Sequence, residues 1–410
     1  ISCGSYNGDG TTNSSKVIDT GFEPQWVLIK RTDGVGHWLI LDNMRGIPFE
    51  AVDQCLVADT SSAENSDLGA ASLISLTSTG FALNSTAINN GSQSYVYMAI
   101  RRGPMKEPSA GTDVYIQDES HASSYESPFF QSSFPIDMAI YRGRNASEGN
   151  FTGARLLGKD WLSTHSTAAK ASDNAQVWDF MNGYYDLGSG AYPNYAAIMF
   201  RRYPKVFDVV VYSGNGSGGN TSRSGLTHNL GVAPEMVIHK RLDSTSEWQV
   251  GATPVSKGGY LNLTNSFSTS FTPSNEFAAT TFDVDGWISE GNNNVSGASY
   301  ICFLVASLSG ISKVGTYTGT GNDLNVTGLN AAARFVMIKR TDASGDWYVF
   351  DSTVQGIVSG NDPYWLLNSN AADVTNTDYI DPHSSGFTIT SSAPDALNAS
   401  GGTYLYLAFS

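Results

Sequence analysis

The sequence predicts an all-β protein built from four tandem antiparallel β-sandwich repeats of the jelly-roll, lectin-like kind. Three observations predict it: apolar and polar residues alternate with a period of two, glycine occupies 42 of 410 positions, and one set of motifs recurs along the chain. Short strands joined by many turns have this pattern. Parallel α/β architecture is excluded, because no stretch shows the helical pattern that its crossover connections need.

The recurring unit opens with a Tyr-x-Gly-x-Gly motif and closes with an apolar strand that begins with tyrosine. The openings and closing strands lie at residues 6–10 and 95–100, 212–216 and 300–305, and 317–321 and 404–409. Opening and closing tyrosines are separated by nearly the same number of residues in all three copies. Such constant spacing indicates an internal repeat.

Inside each unit, an apolar strand ends in a lysine that is followed eight residues later by a tryptophan. The pairs are Lys30 and Trp38, Lys240 and Trp248, and Lys339 and Trp347. Because each tryptophan begins the next strand, an antiparallel hairpin would bring indole and ammonium near one another. We interpret these six residues as scaffold of the repeat; the alternative is a sugar-stacking platform, as exposed aromatic residues form in lectins.

A fourth, degenerate copy fills the gap between the first and the third. Residues 135–142 match the strand with the basic end, and residues 195–202 match the closing strand, but the glycine opening and the spaced tryptophan are missing. The linkers are a few residues long, which predicts a semi-rigid array. The predicted domains, called repeats 1 to 4 below, are residues 1–103, 104–203, 204–309 and 310–410.

Composition narrows the classes of partner. With 38 acidic and 23 basic residues, the net charge of −15 argues against nucleic acid as a ligand. The longest apolar run, near residues 300–308, is about half of a membrane-spanning helix, so we expect no membrane insertion. Three scattered cysteines and six scattered histidines show no zinc or disulfide spacing, and we expect neither a metal nor a cofactor.

Catalytic motifs are missing as well. The chain has no G-x-S-x-G elbow and no H-E-x-x-H motif, and the glycine-rich residues 214–219 precede no helical pattern that would make them a dinucleotide site. We therefore expect that the protein is not an enzyme. A carboxylate pair for glycoside hydrolysis stays open at this point, because the separation of the two groups is a three-dimensional property.

Ligand contacts are expected on residues that the repeat does not require. Repeat 2 departs most from the pattern and is rich in aromatic residues, so our candidate ligand-binding residues are Trp161, Trp178, Tyr184, Tyr185 and Tyr192. One sugar ring stacked on an aromatic side chain contributes about 1 kcal/mol. Useful adhesion therefore needs several copies, which predicts a homo-oligomer.

The repeat resembles the tandem modules of phage tail-fibre and other virion structural proteins, which are common in marine phages. Besides the opening, the segments that carry this resemblance are Gly21-Phe22-Glu23-Pro24, Gly231-Val232-Ala233-Pro234, Leu366-Leu367-Asn368-Ser369 and Gly401-Gly402-Thr403-Tyr404. The resemblance covers nearly all 410 residues and is weakest from about 104 to 203. Such modules are similar to concanavalin A-like lectin sandwiches.

The resemblance implies a structural and adhesive protein on the virion surface, a component of a tail or capsid fibre. Its partners would be other virion proteins and host-surface glycans. Two alternatives remain at this point: a glycan depolymerase, and a purely structural filament or decoration protein without a ligand.

Overall fold

The computed structural model describes residues 1–65, 71–119, 127–145, 147–185, 194–217, 222–268, 277–285, 292–352 and 356–410. Strands account for 42% of the structure and helices for 4%, which confirms the predicted all-β sandwich class. The two α-helices, α1 (Thr86–Asn89) and α2 (Asp395–Asn398), have four residues each, and 3₁₀ turns lie at Gly111–Asp113 and Arg155–Leu157. No helix in these ranges is long and apolar enough to cross a membrane.

Repeat 1 contains a five-stranded sheet and a three-stranded sheet. Its strands are β1 (Ser2–Asn7), β2 (Val17–Asp19), β3 (Pro24–Arg31), β4 (Trp38–Asp42), β5 (Cys55–Val57), β6 (Ile74–Thr77), β7 (Gly80–Leu83) and β8 (Ser94–Arg101). The large sheet has the order β1-β8-β3-β4-β5 and the small sheet the order β2-β7-β6. A core that includes Val27 and Leu41 of the large sheet and Phe81 of the small one lies between them, which makes the repeat a sandwich.

Repeat 2 has a six-stranded and a two-stranded sheet. Its strands are β9 (Tyr115–Glu119), β10 (Phe130–Gln131), β11 (Met138–Gly143), β12 (Phe151–Ala154), β13 (Asp160–Ser163), β14 (Ala171–Ser172), β15 (Gly183–Tyr184) and β16 (Tyr195–Phe200). The large sheet runs β14-β13-β12-β11-β16-β9, and β10 pairs with β15. Apart from the added edge strand β14, this is the order of the large sheet in repeat 1.

Repeats 3 and 4 have the same large sheet. The strands of repeat 3 are β17 (Phe207–Ser213), β18 (Ser222–Thr227), β19 (Met236–Arg241), β20 (Gln249–Ala252), β21 (Lys257–Tyr260), β22 (Thr281–Asp285) and β23 (Ser299–Val305). Those of repeat 4 are β24 (Ser312–Thr318), β25 (Leu324–Thr327), β26 (Phe335–Arg340), β27 (Trp347–Asp351), β28 (Trp365–Leu366), β29 (Ile380–His383), β30 (Gly386–Ile389) and β31 (Thr403–Phe409). The large sheets run β17-β23-β19-β20-β21 and β24-β31-β26-β27-β28, and the small ones β18-β22 and β25-β30-β29.

The Tyr-x-Gly-x-Gly opening has a physical role at each of its positions. Tyr6 stacks on Tyr95 with ring centroids 5.0 Å apart, and its hydroxyl donates to the carbonyl oxygen of Ile88, 2.7 Å away. A Cβ on Gly8 would lie 2.0 Å from the carbonyl oxygen of Asn90, and Gly10 has a φ of +81°. Glycine is therefore required at the first position for close approach and strongly favoured at the second for backbone conformation.

Repeats 3 and 4 repeat this opening geometry. Tyr212 stacks on Tyr300 and Tyr317 on Tyr404, at 4.8 and 4.7 Å. The recurring spacing of the sequence motif thus corresponds to one local structure, in which the first and last strands of a large sheet are neighbours.

A further apolar cluster is shared by repeats 2, 3 and 4. It contains residues of all three large sheets, on the faces turned away from their own small sheets. Tyr115 of repeat 2 contacts Phe335 and Phe409 of repeat 4 at 5.2 and 5.9 Å, and Phe200 contacts Phe207 of repeat 3 at 5.3 Å between centroids. The short linkers had predicted a semi-rigid array, but these three repeats instead pack around a common core.

Candidate functional site: the junctions between repeats

The spaced lysine and tryptophan occupy one register in the large sheet. Lys30 of β3 is the cross-strand partner of Trp38 in β4, and Lys339 of β26 is the partner of Trp347 in β27. This is the hairpin that the spacing of eight predicts.

The same register extends to the other two repeats. In repeat 3, His239 pairs with Gln249, so the next position brings Lys240 opposite Trp248. In repeat 2, Tyr141 pairs with Phe151, so Arg142 and Asn150 occupy the equivalent positions. The sequence match over residues 135–142 includes Arg142 but sets it level with Arg31, whereas the register sets it level with Lys30. Asn150 has no counterpart in the sequence motif, and only the register identifies it.

The lysine ammonium first fixes its own hairpin. Lys30 Nζ donates to the carbonyl oxygen of Gly36 at 2.7 Å, and Lys240 Nζ to that of Ser246 at 2.6 Å. Lys339 Nζ donates to the carbonyl oxygen of Gly345. In each case the acceptor lies six residues after the lysine, in the turn that leads to the tryptophan strand.

The junction of repeat 4 with repeat 3 uses the outer side of this hairpin. Trp347 is fully buried, and its indole Nε1 donates to the carbonyl oxygen of Tyr260 at 2.8 Å. Lys339 Nζ and the main-chain N–H of Gly345 both donate to the carbonyl oxygen of Thr264, each at 2.9 Å. Burial lowers the pKa of the Lys339 ammonium to about 8.

The junction of repeat 3 with repeat 2 has the same contacts. Trp248 is 1% exposed, and its Nε1 donates to the carbonyl oxygen of Ser163 at 2.9 Å. Lys240 Nζ and the main-chain N–H of Ser246 donate to the carbonyl oxygen of Thr167 at 3.0 and 2.9 Å. Ser163 and Tyr260 are equivalent, because each is the last residue of the strand that follows the tryptophan hairpin.

The junction of repeat 2 with repeat 4 uses different side chains at the same positions. Asn150 Nδ2 lies 3.1, 2.9 and 3.0 Å from the carbonyl oxygens of Leu366, Leu367 and Ser369. Leu366 is the equivalent of Ser163 and Tyr260, since it pairs with the first position after the tryptophan of β27.

Arg142 completes this third junction. Its Nη2 donates to the carbonyl oxygen of Ala371 at 2.5 Å and lies 3.2 Å from a carboxylate oxygen of Asp373. The guanidinium also stacks over the ring of Trp365, 5.0 Å from its centroid. An arginine thus takes the place of the lysine, with a carboxylate as added partner.

Together the three junctions close a ring. Repeat 3 binds repeat 2, repeat 4 binds repeat 3, and repeat 2 binds repeat 4, each through the same two surfaces. Head-to-tail contacts of this kind close into a ring when the rotation between neighbours is right. At its centre a cavity of about 50 Å³ is lined by apolar side chains of all three repeats, including Ile198, Phe303 and Leu407.

Repeat 1 lies outside this ring and is attached by a buried ion network. Glu23 of repeat 1 accepts hydrogen bonds from Arg202 at 2.6 and 2.7 Å, and Arg202 Nε donates to Asp208 at 2.5 Å. Arg102 lies 3.2 Å from Glu23. Burial acts to raise the pKa of Asp208, but the guanidinium groups of Arg202 and Arg102 outweigh it and hold that pKa below its ordinary value.

The candidate ligand residues of repeat 2 do not form an exposed site. Trp178, Tyr184 and Tyr185 come together, but they are buried in the core between the two sheets of the repeat. The Trp178 and Tyr184 centroids are 4.3 Å apart, and Trp178 Nε1 donates to the carbonyl oxygen of Gly158 at 2.7 Å. The expectation that these three rings are available at the surface is therefore wrong.

The other two candidates differ from these. Trp161 is half-buried and stands edge-on against Phe151, with centroids 4.9 Å apart. Tyr192 lies outside the described residues. Aromatic enrichment alone could not separate a surface cluster from a core, because both use the same residue types.

A polar groove lies between repeats 1 and 3. Its volume is about 470 Å³, and serine, threonine, asparagine and arginine side chains line much of it. Thr77 Oγ1, Ser78 Oγ and Arg223 Nε are shielded from solvent and have no hydrogen-bond partner within the described part of the chain. Unpartnered polar atoms are uncommon in folded proteins and suit a ligand rich in hydroxyl groups.

The described ranges contain no group of three or more histidine, cysteine, aspartate or glutamate side chains that could hold a metal ion.

Comparison with known families gives one match. Residues 2–104 and 204–410 match the family described as a domain of unknown function, DUF7483. The chain belongs to the DUF7483 family. The unmatched part of this DUF7483 chain corresponds to the degenerate repeat 2. None of the curated proteins matches the chain.

Proposed function

We propose that this DUF7483 protein is a structural and adhesive component of a phage virion, part of a tail or capsid fibre displayed at the particle surface. The observation that carries the proposal is the closed ring of repeats 2, 3 and 4. In its junctions, side chains of one repeat donate to main-chain carbonyl oxygens of the next: Trp248 to Ser163, Trp347 to Tyr260 and Asn150 to Leu367. Such an arrangement suits a rigid module whose task is to hold surfaces in fixed positions.

The resemblance of the repeat motifs to tail-fibre modules supports the same role. The three ring positions are filled by repeats of one chain, so their relative positions do not depend on assembly from separate subunits. Rigid placement of a binding surface reduces the conformational entropy lost on contact with a partner. This property is useful for a protein that contacts other virion proteins or a host surface.

We place the adhesive contact with a host-surface glycan in the polar groove between repeats 1 and 3. A rotation of the half-buried Ser78 and Arg223 side chains, which line the groove, would turn these unpartnered atoms toward sugar hydroxyl groups. Arg223 lies on β18 of repeat 3, and Ser78 follows β6 of repeat 1. A ligand in the groove would therefore touch both repeats. In this proposal the aromatic core of repeat 2 supports the fold.

Imaging tests the virion assignment. Gold-labelled antibodies against the 410-residue chain should bind intact particles of the virus that encodes it, at a tail or capsid fibre. Purified chain should also compete with those particles for adsorption to host cells. Particles that contain no copy of the protein would overturn the assignment.

Glycan binding tests the adhesive part. The purified chain should bind members of a glycan array, and Arg223→Ala or Ser78→Ala should weaken that binding by tenfold or more, as expected for about 1.4 kcal/mol of lost hydrogen bonding. Arg241→Ala is the matched control, since Arg241 is a half-buried arginine of the same repeat that pairs with Asp243. Release of soluble sugar would indicate a depolymerase, and absence of any binding a filament without a ligand.

A further inference from the structure

We propose that the outer face of the large sheet in repeat 1 binds the same face of two further copies of this chain, so that three repeats 1 form a ring like that of repeats 2, 3 and 4. The outer face is the side of the sheet turned away from the small sheet of the repeat. The inference rests on contacts within the chain and does not depend on the proposed function.

The outer face is apolar and uncovered. Cross-strand pairing sets its members in rows across β8, β3, β4 and β5, for example Met98, Leu28, Ile40 and Leu56. The other apolar members are Trp26, Trp38, Val96 and Ile100, and Lys30 and Asp42 lie at the ends of the same rows. Trp38, Leu56 and Val96 are 41%, 39% and 37% exposed, and the remaining five apolar side chains are half-buried. A contiguous apolar surface of this kind indicates an interaction site.

The equivalent face of repeat 4 is completely covered. By register, the counterparts of the eight residues are Phe335, Met337, Trp347, Val349, Trp365, Leu405, Leu407 and Phe409. All eight are buried in the core that repeats 2, 3 and 4 share. In the three ring repeats the outer face thus packs against other repeats. The outer face of repeat 1 has the same apolar character but lacks such a partner within the described part of the chain.

Repeat 1 has also kept the donor half of a junction. Lys30 Nζ binds the Gly36 carbonyl oxygen, as the two ring lysines bind their own turns. The Trp38 main-chain N–H donates to Asp59 at 3.0 Å, and that of Trp347 donates to Asn368, two residues after Leu366, at 2.8 Å. The Trp38 indole is therefore held in the same hairpin as Trp347 but has no repeat in front of it.

The acceptor half is present too. Val57, the last residue of β5, is the register equivalent of Ser163 and Leu366. Its carbonyl oxygen accepts from the N–H of Thr60, three residues on, at 3.4 Å. The carbonyl oxygens of Ser163 and Leu366 accept the same turn bond, at 3.2 and 3.3 Å, and also bind the neighbouring repeat.

Two unlike surfaces on one repeat require a neighbour on each side. Repeat 1 cannot enter the existing ring. In repeats 2, 3 and 4 the donor surface and the acceptor surface are each already covered by another of these three repeats. A second and a third chain supply the missing neighbours, and the geometry of the internal ring closes the contact at three members. In such a trimer, Trp38 Nε1 of one chain would donate to the Val57 carbonyl oxygen of the next.

Mass measurement tests the trimer. Sedimentation equilibrium of the 410-residue chain at micromolar concentration should give three times the 43.8 kDa of one chain. Trp38→Glu should give one chain's mass, with an unchanged far-ultraviolet circular dichroism spectrum. Val17→Glu is the control, because Val17 is 48% exposed on the small sheet of the same repeat, and this variant should remain trimeric. A monomer or a dimer for the unmodified chain overturns the proposal.

Cross-linking tests the contact itself. A photoreactive amino acid at position 38, in a mixture of ¹⁴N- and ¹⁵N-labelled chains, should cross-link to residues 57–64 of another chain, seen as mixed-isotope peptides by mass spectrometry. Links to any other surface, or no link between chains, overturn the assigned interface even if the mass is that of a trimer.

Discussion

Repeat 1 and repeat 4 place the same motif in opposite environments. The hairpins from Lys30 to Trp38 and from Lys339 to Trp347 have one register and one ammonium-to-carbonyl bond. Trp38 is nevertheless 41% exposed, whereas Trp347 has no exposed surface and donates to Tyr260. The two tryptophans differ in exposure because repeat 3 packs against Trp347, whereas none of the described residues of other repeats packs against Trp38. The motif therefore specifies a contact surface, and the arrangement of the repeats decides whether that surface is covered.

The largest expected effect comes from removing the buried tryptophan of repeat 4. Trp347→Ala should lower the free energy of unfolding by about 5 kcal/mol, because the lost packing of a buried tryptophan costs about 3–5 kcal/mol and the lost indole hydrogen bond about 1 kcal/mol more. Urea unfolding followed by circular dichroism measures it.

Trp38→Ala is the matched variant of the exposed copy. In chains diluted until no copies associate, it should cost less than about 1 kcal/mol, as substitutions on an exposed surface do. Equal losses for the two variants would contradict the different roles assigned to the two tryptophans.

The second prediction separates repeat 1 from the ring. Arg202→Met should cost about 3–5 kcal/mol, since it leaves Glu23 and Asp208 buried without their main counter-charge. Limited proteolysis should then release repeat 1 while the ring stays resistant. Arg201→Met is the control, because Arg201 is only partly buried and stacks on Tyr203; loss of the ring instead of repeat 1 would show that the network belongs to the ring.

The third prediction concerns a buried carboxyl group of repeat 1. Asp53 Oδ2 accepts from the N–H groups of Leu73 and Ile74 at 2.6 and 2.8 Å, and burial raises its pKa to about 7. Because the folded pKa lies above that of the unfolded chain, the folded protein holds an extra proton between about pH 4 and 7. The free energy of unfolding therefore falls as the pH rises through that window.

Between pH 5 and pH 8 the unmodified repeat 1 should lose on the order of 2 kcal/mol of unfolding free energy through this group. The Asp53→Asn variant should not show this loss. Melting curves at the two pH values measure it. Asp362 is the register equivalent in repeat 4, with a pKa that burial raises to about 6, so Asp362→Asn should show a smaller change. If the stability of Asp53→Asn changed with pH as much as that of the unmodified chain, the raised pKa of Asp53 would be refuted.

The fourth prediction concerns the junction of repeat 2 with repeat 4. Asn150→Ala should cost about 1–2 kcal/mol, because carbonyl oxygens of repeat 4 lose a shared donor while the apolar ring core remains. Hydrogen exchange should speed up at residues 364–371 before it changes elsewhere. Asn145→Ala is the control, because Asn145 is a nearby exposed residue. Faster exchange at residues 364–371 in that variant too would show that the Asn150 hydrogen bonds are not the cause.

Local features of the fold could be predicted from the sequence. The stacked Tyr6 and Tyr95 and the close approach at Gly8 depend on residues of one repeat, and their chemistry allows few alternatives. The period of two and the spacing of eight likewise fix hairpins, because the side-chain direction in a strand alternates with every residue. These constraints act within a single sandwich.

The site was less predictable. Trp178, Tyr184 and Tyr185 looked like surface rings because they depart from the repeat, but they fill a core whose partners come from distant parts of repeat 2. Asn150 was not found and Arg142 was placed one position out of register, since a donor to a neighbour's carbonyl oxygen can be asparagine or arginine as well as tryptophan or lysine.

The sequence by itself determined an all-β sandwich, its internal repetition and, in repeats 1, 3 and 4, the lysine and tryptophan positions on one face of the large sheet. Only the tertiary structure decided that the outer faces of repeats 2, 3 and 4 close on one another while that of repeat 1 stays open. The reason is that alternation defines two faces of a strand locally, but burial of the outer face depends on contacts between residues of different repeats, such as Asn150 with Leu366, which are 216 positions apart.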